Sequence, residues 1–160
     1  IAIEAIKQDE NKYLAYTDNG REYSGIDVYE WVKKVEDLGA GEIVITSVDN
    51  EGTRKGLDIN LIKNLSKLVN IPIVAHGGVG NKSHVLEAFN DGCADAVMIS
   101  SLFHYHYVFN NEVSPSTLEG NDQFLKKRNL QNNFDSCDVL DLKKYLINNN
   151  IDCRIWERKL

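Results

Sequence analysis

Basic residues are in the minority: 18 lysines and arginines against 24 aspartates and glutamates give a formal net charge of −6. That balance argues against a nucleic-acid partner, whose surface calls for a basic patch. Long apolar runs are missing too. None nears the roughly 20 residues that cross a bilayer, so no membrane role is expected. The start is not a secretory signal, because IAIEAIKQDENK lacks a basic opening and soon turns polar. Cysteine is scarce: Cys93, Cys137 and Cys153 are odd in number and far apart. This excludes a disulfide scaffold or a close-spaced metal motif and fits a reducing cytoplasm. An initiator methionine is absent as well, and the chain opens on a strand-like IAIEAI, as the interior of a longer protein would.

What is present suits one ordinary globular domain, long enough at 160 residues to bury a core. Short β-rich apolar runs alternate with amphipathic helical segments. IAIEAI reads as a strand, and KYLAYT as part of a hairpin closed by Asp18-Asn19-Gly20. VYEWVKKVEDLGA reads as a helix with Val28, Trp31, Val32, Val35 and Leu38 on one face and Gly39 as its stop. EIVIT is a buried strand. Asp58 caps a helix carrying Ile59, Leu61, Ile62, Leu65 and Leu68 at helical spacing. IPIVA, a helix through HVLEAFNDG, and the strand ADAVMIS follow. DLGAGEIVITS and NDGCADAVMISS form a weak internal repeat, so the pattern looks built from duplicated βα pairs.

Near-continuous apolar strands between helices imply parallel pairing with helices outside. The periodicity leaves two architectures open, an open four-strand sheet and half of an eight-strand barrel. The expected organisation is βα units over 1–109, a polar insertion loop over 110–136, and a final helix with a C-terminal tail over 137–160.

Chemistry in such folds collects on loops after the carboxyl ends of strands. TSVDNEGTRKG, after EIVI, holds Asp49 and Glu51 as candidate acid–base groups, with Gly52 and Thr53 suited to a phosphate rim. Arg54 and Lys55 would answer a negative substrate. After IPIVA, His76 leads into Gly77, Gly78 and Gly80, whose backbone amides can approach an anion closely. After ADAVMI come Ser100 and Ser101. Glycines on one strand end and hydroxyls on the next are the usual make-up of a barrel phosphate site; tight turns and helix caps would use the same residues. His104 and His106 are too few and too close to complete a metal site.

Taken together, GAGEIVITSVDNEGTRKGLD, IPIVAHGGVG and AVMISSLFH closely resemble the HisF family, cyclase subunits of imidazole glycerol phosphate synthase. The likeness runs from the first strand to about Phe103 and continues weakly in the final helix. It implies an α/β fold, the C-terminal half of a (βα)8 TIM barrel with parallel strands and outer helices. It also implies a cytoplasmic enzyme of histidine biosynthesis, an ammonia-using lyase. Ammonia would come from a HisH-like glutaminase partner, and the substrate would be a ribulose phosphate carrying a phosphate at each end. No metal or organic cofactor is implied.

By the same resemblance, Glu51 stands at the position of a catalytic aspartate, one methylene longer, and Glu4 falls near another. Gly52, Gly77, Gly78, Ser100 and Ser101 correspond to the phosphate site, and Glu42 to a charged residue of the ammonia gate. His76 stands where the family usually has a small residue. The isolated half is expected to be inactive and to self-associate through its unpaired edge strands. Two other readings stay open: a HisF-like paralogue amidating a sugar for surface polysaccharide, and a non-catalytic self-associating half-barrel.

Overall fold

The computed structural model describes residues 1–110 and 135–155, which fall into two compact units, Ile1–Ile99 and Ser100–Leu160. The first unit is built on one six-stranded sheet in the order β3-β2-β1-β4-β5-β6. Its strands are β1 (Ala2–Asp9), β2 (Lys12–Thr17), β3 (Glu22–Asp27), β4 (Ile43–Ser47), β5 (Ile73–His76) and β6 (Ala96–Val97). β1, β4, β5 and β6 run parallel, while β2 and β3 fold back antiparallel beside β1. Helices α1 (Val28–Asp37), α2 (Ile59–Ser66) and α3 (Lys82–Asn90) follow β3, β4 and β5. This is an α/β fold, part of a (βα)8 barrel in type.

Strand periodicity decides where the core sits. Side chains alternate across a strand, and Ile3, Ala5, Ile43, Ile45, Ile73 and Ala75 all fall on one face, each at most 3% exposed. Fully burying an isoleucine contributes about 1.5–3 kcal/mol, so this face anchors the sheet. Val28, Val32 and Val35 of α1 and Leu61, Ile62 and Leu65 of α2 are buried as well. The residues between, Glu4, Val44, Thr46, Val74 and His76, lie on the opposite face and are only half-buried.

Helix ends follow the expected chemistry. The Asp58 carboxylate accepts from the Leu61 amide at 3.0 Å and caps α2. Asp27 and Asn81 cap α1 and α3 in the same way. Gly39 takes φ +92° just past α1, which stops the helix as expected.

The expected hairpin forms, with EYSGID as β3, the partner of KYLAYT across the Asp18–Arg21 turn. Three other features differ from expectation. A second turn, between Asp9 and Lys12, joins β1 to β2. Leu38 is 74% exposed, because the chain leaves the helix there and the apolar stripe ends with it. ADAVMIS contributes only Ala96–Val97 as strand, since among the described residues β6 pairs with β5 alone.

In the second unit, α4 (Ser101–Asn110) stacks Tyr105 on Phe109, and α5 (Val139–Asn148) buries Leu142 and Leu146. The final helix thus forms where expected. Nearly all of the expected polar loop and the last five residues of the tail lie outside the described residues. Among the described residues no helix is long and apolar enough to cross a membrane.

Candidate functional site

The parallel strands end on the same side of the sheet, and strand register assembles the first part of the site. Glu4 of β1 pairs with Thr46 of β4, and Thr46 pairs with His76 of β5. The three side chains therefore form one row across the half-exposed face. Glu4 Oε2 accepts from the Gly20 amide at 2.8 Å, which ties it to the β2–β3 turn. Thr46 Oγ1 and His76 Nδ1 are 3.0 Å apart and hydrogen-bonded.

The second part is the loop between β4 and α2. Its backbone folds onto the strand end, where Ser47 O accepts from the amides of Asn50 at 3.2 Å and Glu51 at 3.0 Å. Thr53 Oγ1 donates to Asn50 O at 2.7 Å. These turns push Glu51, Gly52 and Thr53 outward, and all three are exposed. Asp49 behaves differently: its Oδ2 accepts from the Lys7 amide at 2.8 Å and pins the loop to β1. Of the two acids in TSVDNEGTRKG, Asp49 is thus engaged structurally and Glu51 carries the open carboxylate.

The third part is the glycine loop after β5. Gly77 and Gly78 are buried at φ +97° and +102°. A Cβ on Gly77 would stand 2.6 Å from Ser47 O, and one on Gly78 only 2.1 Å from Gly56 O. The loops also bond directly. The Gly56 amide donates to Gly78 O at 2.9 Å, and Asn50 Nδ2 donates to Gly56 O at 3.0 Å. The glycines therefore serve loop-to-loop packing whatever else they bind.

The remaining residues lie elsewhere. Glu42 is exposed beside the amino end of β4, away from the loops. Ser100 and Ser101 belong to the second unit, where Ser100 O accepts from the His104 amide at 3.0 Å and opens α4. Among the described residues, no group of three or more His, Cys, Asp or Glu side chains could hold a metal ion.

A cleft of about 790 Å³ lies between the β1–β2 hairpin and the loop after β4. Among the described residues, Asp9, Glu10, Asp49 and Asp58 line it against a single lysine, Lys7, so its charge opposes an anion. On the buried side, Tyr13 donates from its hydroxyl to Asp58 Oδ2 at 2.9 Å. Burial, reinforced by the Asp58 carboxylate, holds the Tyr13 hydroxyl well above the usual tyrosine range.

Sequence reasoning had no signal for the Asp49–Lys7, Tyr13–Asp58 and Thr46–His76 pairs. Each joins residues 30 to 45 positions apart.

Comparison with known proteins shows the family. Residues 1–108 match the family described as histidine biosynthesis protein. The chain is 43% identical over 143 residues to the imidazole glycerol phosphate synthase subunit HisF of Methanococcus maripaludis (strain C5 / ATCC BAA-1333), covering 89% of this chain and 42% of that protein. It is 44% identical over 105 residues to the subunit of the same name from Bacillus cereus (strain Q1), covering 66% of this chain and 42% of that protein. The chain thus spans about two fifths of the length of the relatives it matches. It belongs to the histidine biosynthesis protein family, and the relatives it matches there are HisF subunits.

Proposed function

We propose that this chain is the second, C-terminal half of a HisF-type cyclase. In this reading the whole protein uses ammonia from a glutaminase partner subunit to form imidazole glycerol phosphate. The observation that carries it is the placing of two carboxylates: Glu4 on β1, and Glu51 in the loop after the neighbouring parallel strand β4. An acid on a strand and another on the loop after its parallel neighbour suit proton transfer to and from a bound substrate. Glu51, exposed and with a carboxylate that accepts no hydrogen bond among the described residues, acts as acid or base, and Glu4 is the second group. Gly52, Thr53, Gly77 and Gly78 receive a substrate phosphate. Glu42, beside the opposite end of β4, guards ammonia entry.

The test uses the full-length gene product with ammonium and the histidine-pathway ribulose phosphate substrate, following substrate loss by absorbance. Glu51→Gln should lower turnover about 10²- to 10⁴-fold while the protein still binds substrate. Full activity in that variant removes Glu51 from the mechanism. A second reading, a HisF-like paralogue that amidates a sugar, is favoured by the glutamate at position 51 and the histidine at position 76. It predicts no turnover of the histidine-pathway substrate by folded, phosphate-binding protein.

A further inference from the structure

His76 is a polar ring where core packing does not ask for one. The other face of β5 is filled by Ile73 and Ala75, neither measurably exposed, and the alternation of the strand turns His76 away from them. It emerges half-buried on the opposite face, in the row with Thr46 and Glu4. Its position along the chain matters as much, because it immediately precedes the buried Gly77-Gly78 pair.

The ring is also oriented. Its Nδ1 is hydrogen-bonded to Thr46 Oγ1 at 3.0 Å. Nε2, on the far edge of the imidazole and without a hydrogen bond among the described residues, is then the ring nitrogen left for a ligand. A hydroxyl both donates and accepts, so it matches Nε2 in either tautomer. Two strand spacings, about 10 Å, separate the Glu4 and His76 backbones, and one bound polyol can reach both side chains.

We propose that His76 is a specificity-determining residue, whose Nε2 takes a hydroxyl of a phosphorylated polyhydroxy ligand lying across the row Glu4–Thr46–His76. This rests on the reading that the glycine loop beside it receives the phosphate. Thr46 is the positioning residue: it touches the ring and fixes where Nε2 points.

Calorimetric titrations of the full-length protein with inorganic phosphate and with ribose 5-phosphate separate the two readings. The unaltered protein should bind both, the sugar phosphate more tightly. His76→Ser should weaken ribose 5-phosphate binding about tenfold, the scale of one lost hydrogen bond, and leave inorganic phosphate unchanged. His76→Gln, which keeps a polar group, should retain part of the difference. Thr46→Val keeps the side-chain outline, so a merely packed ring would not respond, whereas an oriented one loses sugar phosphate affinity several-fold.

If the unaltered protein binds both probes and His76→Ser binds ribose 5-phosphate as before, the role of His76 is overturned and the phosphate site stands. An equal loss for both probes would place His76 at the phosphate and also overturn the proposal. If the unaltered protein binds neither probe, the phosphate reading falls, and the inference with it.

Discussion

The two faces of the central sheet divide the labour of the molecule. On one, Ile3, Ala5, Ile43, Ile45, Ile73 and Ala75 are sealed from solvent. On the other, the same strands present Glu4, Thr46 and His76 in register, half-buried and hydrogen-bonded. The faces differ by one step along each strand, so a residue's place in the alternation decides between folding and chemistry. Ser47 and Thr46 show how sharp that boundary is. They are adjacent hydroxyl residues, yet Thr46 bonds to His76 while Ser47 Oγ is buried without a partner among the described residues.

This division is open to direct attack. Ile45 is 1% exposed, and Ile45→Ala should lower unfolding free energy by about 2–5 kcal/mol in denaturant titration. Its neighbour on the half-buried face, Val44→Ala, should cost clearly less. Equal losses would mean that both faces carry the core.

Tyr13→Phe sharpens the picture on the sealed side. It leaves Asp58 Oδ2 without its donor, at a cost of about 1–3 kcal/mol. Because the Tyr13 hydroxyl holds its proton more tightly when folded, its contribution is complete below the ordinary tyrosine value of about 10. It fades as the pH climbs above that value. The Phe variant should lack that alkaline loss, measured as melting temperature against pH.

The smallest effect belongs to Ser47→Ala. Removing a buried hydroxyl that bonds nothing among the described residues should leave stability within about 1 kcal/mol of the original, or raise it slightly. A larger loss would reveal a partner for that oxygen.

Most of the fold was legible in the sequence because its signals are local. Apolar runs marked β1, β4 and β5; Asp58 and Gly39 marked helix boundaries. β3 was signalled only by the turn before it, because EYSGID is almost wholly exposed along its length and carries no apolar alternation. Leu38 was placed in the core because a helical stripe was extended one residue past the helix. The strand in ADAVMIS was expected longer, since hydrophobicity signals burial but not the number of partners a strand finds.

The candidate site was legible as a set of loops but not as a geometry. Nothing in TSVDNEGTRKG shows that Asp49 binds Lys7 while Glu51 faces solvent. Nor does HGGVG show that its glycines are crowded by Ser47 and Gly56. These facts depend on how two distant segments meet, and local patterns do not carry that information.

The interlock of those two loops bears on how such a protein can change. Gly56 and Gly78 meet backbone to backbone, with no room for even a methyl group on Gly78. An insertion in either loop would spoil both, so loop length is a poor source of new specificity here. Innovation is channelled to side chains that stand on the strands and point away from the core. Exchanges at positions 46 and 76 can be sampled while the loops keep their shape, and that is where a library seeking altered substrates would best begin.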